Sequence, residues 1–252
     1  MNEKIPGSSR IGILTSGGDA PGMNAAIRAV YRAAHELGID VVGIRRGFSG
    51  LIEGDFFLMD RSHVANIIHL GGTVLGTSRS EEFKTSEGRK KSAENLQNAD
   101  IDALLVIGGE GSFRGADLFN DETGIPTIGI PGSIDNDIPG TDFSIGFDTA
   151  INTALEAIDK IRDTALSHGR LFFVEVMGRS SDLIAIESGI AGGAEYLVLP
   201  GDHDAIMDLC ARLTDAFSAG KRYAIVVVAE GENPGCSFEI SQKVSEQIDI
   251  ES

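Results

Sequence analysis

Two cysteines, Cys210 and Cys236, are all that the 252 residues contain. That is too few for a disulfide framework or a zinc cluster. The five histidines, His35, His63, His69, His168 and His203, are scattered without ligand spacing, so they read as helix-surface or loop residues rather than as a metal site. Positive charge is also scarce: 21 Lys and Arg stand against 38 Asp and Glu, a formal net charge of −17. So acidic a surface repels phosphate backbones and anionic lipid, which argues against nucleic acid or a membrane as partner. An anionic ligand would then need local positive groups or a metal to hold it. No apolar run reaches the length of a membrane-spanning helix. The opening MNEKIPGSSR has no apolar stretch of the kind a secretory signal carries, and a reducing cytoplasm is the expected compartment.

What is present is ordinary globular chemistry, 42% hydrophobic and 23% charged residues, enough for one large domain or two modest ones. The exception is glycine, at 32 residues, close to double the average share of about 7%. No low-complexity tract absorbs these glycines, so they punctuate the fold. Short apolar, β-branched runs alternate with amphipathic stretches along the chain. Strands are expected at 11–14, 41–44, 103–107, 127–130, 171–176, 196–199 and 223–228. Helices are expected at 23–37 with Gly38 as its stop, 64–70 capped by Ser62, 87–98, 113–119, 149–167, 203–219 and 238–248. Continuously apolar strands alternating with helices imply an α/β fold of two packed lobes, each a largely parallel sheet sandwiched by helices. A boundary near Phe147 divides residues 1–146 from 147–252.

The unusual loops all follow strands, the edge at which open parallel sheets bind ligands. TSGGDAPG (15–22) joins a strand to a helix start, where free backbone N–H groups can hold an anion; it also reads as a tight turn between strand and helix. It lacks the Gly-Lys-Ser/Thr of a P-loop and does not match the dinucleotide fingerprint. GGEGS (108–112) is a second such loop. Its glycines allow close approach of a ligand, and Glu110 offers the hard oxygen that phosphate-bridging Mg²⁺ takes; a turn with a solvated Glu is the alternative. Ser112 is expected to cap the helix that follows. IDND (134–137) sets Asp135 and Asp137 two apart, on one face if the turn is extended. Such a pair can divide proton transfer from metal or hydroxyl binding, or it can be an Asx-turn. Arg79, Arg170 and Arg179 stand in loops beside these segments and suit phosphate.

LTSGGDAPGMNAAIRAV, GGTVLGTSR, DALLVIGGEGS, PGSIDNDIPGTDFSIGFDTA and VEVMGRS occur in this order. Together they make the chain resemble the phosphofructokinase family, the bacterial 6-phosphofructokinases, from Ile11 onward. The resemblance implies a cytoplasmic glycolytic kinase converting fructose 6-phosphate and ATP, with Mg²⁺, to fructose 1,6-bisphosphate and ADP. Residues 1–146 would form the nucleotide-binding lobe and 147–252 the sugar-phosphate lobe. It implies an ATP site of Gly18, Arg79, Ser80, Gly109, Glu110, Gly111 and Ser112, with Glu110 as the metal-binding carboxylate where the family usually has Asp. It implies Asp135 as base and Arg179 as the group steadying the transferred phosphoryl. The sugar phosphate would be bound by Ser133, Ile134, Asp135, Asp137, Arg170, Met177, Gly178, Arg179 and Glu230, with Ser133 standing where the family has Thr. Arg170 would reach the substrate of a neighbouring subunit in a homotetramer. Arg28, Arg61, Arg162 and Lys221 would line an allosteric nucleotide site between subunits.

The pyrophosphate-using branch of the family typically has Asp where Gly111 stands and Lys where Gly132 stands, so the resemblance favours ATP. In the family the chain continues past the position of Ser252 into a strand and a loop bearing His, Gln and Arg for the sugar phosphate. The alternatives that follow are a pyrophosphate-dependent enzyme, or an impaired or regulatory relative.

Overall fold

A computed structural model of the chain describes residues 9–201, 205–231 and 234–248. The chain divides into two compact units. The first holds residues up to Ser133 together with Asp137–Gly146; the second holds Ile134–Asn136 and Phe147 onward.

The first unit contains β1 (Arg10–Ser16), α1 (Met23–Glu36), β2 (Asp40–Ile44), α2 (Gly47–Glu53), β3 (Phe56–Leu58), a 3-10 turn (Glu82–Lys84), α3 (Ser86–Asn98), β4 (Ala103–Gly108), α4 (Glu110–Thr123), β5 (Thr127–Ser133) and β6 (Ile145–Gly146). Its sheet runs β3-β2-β1-β4-β5-β6. All pairs are parallel except β2 with β3. The apolar runs are buried on both faces because helices cover both. Leu14, Ile44, Leu104 and Val106 pack with Phe48 and Leu51 of α2, Leu96 of α3 and Phe119 of α4. The alternate residues Ile13 and Ile107 point to the opposite face by strand periodicity, and Met23 and Ile27 of α1 are likewise fully buried. Each such side chain contributes about 1.5–3 kcal/mol on leaving water. Gly38 adopts φ 69° and ends α1 as a left-handed C-terminal stop.

The second unit contains α5 (Phe147–His168), β7 (Leu171–Val176), α6 (Leu183–Ala191), β8 (Tyr196–Val198), α7 (Ala205–Ser218), β9 (Ala224–Ala229) and α8 (Cys236–Ser245). The three strands form a parallel sheet, β7-β9-β8. Central β9 is buried at every position. Ala224, Val226 and Val228 join Leu209 and Leu213 of α7 and Val244 of α8 in one core. Ile225, Val227 and Ala229 join Phe147, Ile151 and Ile158 of α5 and Ile184 of α6 in another. Its period of two thus feeds two helical layers, which an unbroken apolar run requires.

Several local expectations change. Residues 64–70 form turns rather than a helix. Upstream, the Asp60 carboxylate accepts the Ser62 hydroxyl (2.5 Å) and N–H (2.7 Å) and contacts the His63 ring (2.9 Å). Side-chain bonds of this kind compete with helix formation. They also draw the Asp60 pKa down to about 2, with the Ser62 hydroxyl as the largest cause. The described part of α7 begins at Ala205, and His203 lies outside the described residues. Helices α2 and α6 had no expectation. The first is seven residues with two glycines, and the second, LIAIESGIA, has no clear polar face. Among the described residues no helix is long and apolar enough to cross a membrane.

Candidate active site

In the first sheet, β1 has β2 on one side and β4 on the other, so the strand order reverses between β1 and β4. That reversal opens a crevice at the carboxyl ends of the two strands. TSGGDAPG leaves β1 there, and GGEGS leaves β4. The strand ends are in register, Ser16 opposite Gly108. They leave no room for a side chain: a Cβ at Gly108 would stand 2.5 Å from the Ser16 carbonyl oxygen and 2.7 Å from Ser112 Oγ. Helices α1 and α4 begin at these loops with Gly22 and Gly109 as N-caps, and no side chain caps either helix. In α1 the Met23 N–H donates to the Ala20 carbonyl (3.2 Å), which leaves the N–H groups of Asn24 and Ala25, and in α4 those of Glu110 and Gly111, open to an anion. Gly18 and Gly111 face open space, with no heavy atom within 4 Å of a Cβ position. Ser112, expected as a cap, instead lies inside the first turn, its N–H bonded to the Gly109 carbonyl (3.0 Å).

Glu110 starts α4, and its carboxylate accepts from Arg114 one turn on, at 2.6 Å. Both side chains are substantially exposed, so the pair is weak, about 0–1 kcal/mol, and an incoming cation can displace it. An open cavity of about 460 Å³ beside this turn is lined by Glu110, Phe113, Arg114, Asp117, Gly129 and Ile138 among others. Among the described residues no cluster of three or more His, Cys, Asp or Glu could cage a metal. A single exposed carboxylate beside an open cavity suits a magnesium ion that keeps waters and phosphate oxygens as its other ligands. The residues fit an ion carried in by a nucleotide.

The segment with Arg79 and Ser80 is tied to the same edge. Thr15 donates to the Gly76 carbonyl (2.9 Å), Thr77 to that of Gly17 (2.7 Å), and Ser78 to that of Arg46 (2.8 Å). Buried Asn24 of α1 donates to the Leu70 and Gly71 carbonyls (3.0 and 3.1 Å) and accepts from the Val74 N–H (2.8 Å). The Arg79 side chain is exposed. The Ser80 hydroxyl accepts the Phe83 N–H at 3.2 Å, which opens the 3-10 turn. Thr15 and Asn24 were missed from sequence; a buried polar side chain carries no local signal until its partners are known.

The acidic turn follows β5. Ser133 Oγ lies 3.4 Å from Asp137 Oδ1, and the Ser133 carbonyl accepts from Ser144 (2.6 Å). Asn136 has φ 50°, so the turn is not extended there and simple alternation does not put Asp135 and Asp137 on one face. In the second unit, Ile134 packs against the core around Phe147 and Val176. The Asp135 carbonyl accepts from Ser181 Oγ at 2.7 Å. Met177 is exposed and Gly178 buried. A Cβ at Gly178, φ 157°, would stand 2.3 Å from the Ser181 carbonyl oxygen, so only glycine fits. Arg179 holds φ 51°, a left-handed conformation that costs a non-glycine residue about 1 kcal/mol or more and gathers at functional sites. Glu230 follows β9; its Oε2 is buried, with no hydrogen-bond partner among the described residues. Arg170 sits between α5 and β7 with its side chain exposed.

The four arginine and lysine positions of the expected effector site divide between the units. In the first, Arg28 donates to the Val64 carbonyl (2.6 Å) and Arg61 is exposed. In the second, Arg162 donates to the Gly192 and Gly193 carbonyls at the end of α6, and Lys221 pairs with Glu195 at 2.6 Å.

Comparison with known proteins agrees with this geometry. The family model described as phosphofructokinase matches residues 10–252. A protein of Thermus thermophilus named ATP-dependent 6-phosphofructokinase 1 is 54% identical over 243 residues, covering 96% of this chain and 76% of its own length. An ATP-dependent 6-phosphofructokinase of Halalkalibacterium halodurans is 56% identical over 244 residues, covering 96% and 75%. Among solved structures, phosphofructokinase from Saccharomyces cerevisiae superposes with a TM-score of 0.85 at 37% identity; the match spans 95% of this chain and 37% of the yeast chain.

Proposed function

The chain belongs to the phosphofructokinase family, and from that premise we propose that it transfers the γ-phosphoryl group of ATP to the 1-hydroxyl of fructose 6-phosphate. The observation that carries this reading is the pair of uncapped helix starts at the adjoining ends of β1 and β4, in a chain more than half identical to proteins named for that reaction. The first lobe, residues 1–146, takes the nucleotide through Gly18, Arg79, Ser80, Gly109, Gly111 and Ser112. Glu110 would hold a magnesium ion brought in with ATP, and that ion would supply neutralisation of charge on the phosphates.

Two positions favour ATP over pyrophosphate. The open space at Gly111 leaves room for the α-phosphate that a side chain there would exclude. A side chain at Gly132 would press on Met23 (3.2 Å) and Ile107 (3.3 Å), which disfavours the lysine of the pyrophosphate-using branch.

The sugar phosphate is held by the second lobe, residues 147–252, with Ile134, Met177, Gly178 and Glu230, and by Ser133 and Asp137. The unpartnered oxygen of Glu230 supports a role in accepting a sugar hydroxyl, since a buried acceptor without a donor is costly. Asp135 takes the proton of the 1-hydroxyl as that oxygen bonds to the γ-phosphorus. The bond from phosphorus to the β–γ bridging oxygen breaks, and its electron pair leaves with ADP. Arg179 offsets charge on the transferring group. Arg170 serves the sugar phosphate of a neighbouring copy in a cytoplasmic homotetramer, and Arg28, Arg61, Arg162 and Lys221 bind a nucleotide effector between copies.

The test is fructose 6-phosphate-dependent ADP release in the presence of magnesium. Asp135→Asn should lower kcat by roughly 10²–10⁴, the range of general-base catalysis, with ATP binding retained. Undiminished turnover removes Asp135 as the base. Turnover with pyrophosphate but not ATP overturns the donor, and ATP binding without any turnover makes the chain a regulatory relative.

A further inference from the structure

We propose that Ser181 is a positioning residue that clasps the loop of Asp135 to the turn of Arg179, an inference that rests on the reading of those two as base and phosphoryl-steadying group. Ser181 uses both of its donors for this. Its hydroxyl donates to the Asp135 carbonyl at 2.7 Å, and its N–H donates to the Gly178 carbonyl at 2.7 Å. The same hydroxyl stands 3.5 Å from the Leu183 N–H, at the start of α6. One residue thus joins three segments: its side chain meets the acidic turn and the start of α6, and its main-chain N–H meets the Met-Gly-Arg turn.

Both of the joined segments need holding. Asn136 and Arg179 each sit at φ near 50°, a region that side chains with a Cβ leave readily unless their surroundings over-determine it. The Asp135 carbonyl belongs to the peptide plane that leads into Asn136. Fixing that oxygen fixes the plane and hence the direction in which the Asp135 side chain leaves the chain. Ser181 does not touch substrate in this scheme; it acts through the base. A misplacement of about 1 Å at a reacting group costs up to a hundredfold in rate, so the clasp is worth more to turnover than to stability.

The experiment compares the full chain with Ser181→Ala and Ser181→Thr, and with Ser167→Ala, on the exposed end of α5, as a control. In Ser181→Ala, kcat should fall about tenfold while KM for either substrate changes less than about threefold. Ser181→Thr, which restores the hydroxyl, should recover most of the rate. A purely structural serine would instead shift the thermal midpoint and leave this split absent. An activity-independent reading comes from Asp135–Asn136, the one Asp-Asn step in the sequence. With carbonyl-¹³C Asp and ¹⁵N Asn, that peptide gives a single correlation. It should move in Ser181→Ala and return in Ser181→Thr. An unmoved signal, or an unchanged kcat in Ser181→Ala, overturns the proposal. Full turnover in Asp135→Asn removes the base assignment and the catalytic part of the inference with it, while the carbonyl signal still decides whether the clasp exists.

Discussion

Replacing Gly111 sets fold stability against nucleotide binding. Gly111 is the second residue of α4, exposed, with no heavy atom within 4 Å of where a Cβ would stand. Alanine is favoured over glycine in a helix by about 0.5–1 kcal/mol, and in a first turn the lower figure applies. Gly111→Ala should therefore raise the thermal midpoint by roughly 1–2 °C. The same methyl enters the space assigned to phosphate, and a steric cost of about 1–3 kcal/mol raises KM for ATP at least fivefold. Gly111→Asp widens the gap. Its carboxylate complements the helix N-terminus by about 0.3–1 kcal/mol, yet faces a phosphate charge at a cost of about 3–4 kcal/mol for 4–5 Å at an effective dielectric of 20. ATP affinity should fall by two to three orders of magnitude with stability kept. Thermal unfolding by circular dichroism and steady-state KM for ATP read the two effects. A midpoint lowered by either substitution refutes the open space, and an unmoved KM in Gly111→Asp refutes the placing of phosphate against Gly111.

Three further outcomes are expected. Gly108→Ala meets the Ser16 carbonyl and Ser112, so it should destabilise the chain by about 1–3 kcal/mol and abolish turnover; denaturant melts showing no loss would mean that the strand ends yield. Arg89 is nearly buried, grips Glu122 through two bonds of 2.7 and 2.6 Å, and donates to the Phe83 and Lys84 carbonyls. Arg89→Ala should thus cost about 2–4 kcal/mol, against under about 0.5 kcal/mol for Lys160→Ala in an exposed helical pair, both read from chemical denaturation. Burial pushes the Glu175 carboxyl up, but the N–H groups of Gly235 and Ser237 and the neighbouring hydroxyl and thiol outweigh it and hold the group below its ordinary 4.5. A depressed acid stabilises above its unfolded value and loses that contribution as pH falls through its folded one. Glu175→Gln should therefore flatten the fall in stability below about pH 4.5; an identical acid limb in both proteins would mean that the Gly235 and Ser237 N–H groups, 2.6 and 2.8 Å from its carboxylate, do not hold Glu175 ionised.

The parallel sheets were legible because unbroken apolar runs such as Ala224–Ala229 can be satisfied only between two helical layers. The glycine-rich loops at the ends of β1 and β4 were legible because glycines cluster directly after strands. Helix α2 was not, since a seven-residue element started by a left-handed Arg46 and holding two glycines has no helical periodicity to read. Nor was the loss of a helix at 64–70, where the Asp60 carboxylate captures local donors that a helix would have used.

The sequence by itself determined the strand–helix alternation, the glycine-rich strand ends and the acidic turn, because these are properties of neighbours along the chain. Only the tertiary structure decided that the β1 and β4 loops adjoin, that Thr15 and Asn24 bind the Arg79 segment to them, and that Ser181 reaches the Asp135 carbonyl 46 residues away. Those contacts join positions far apart in sequence, and such pairings exist only once strand order has brought their backbones together.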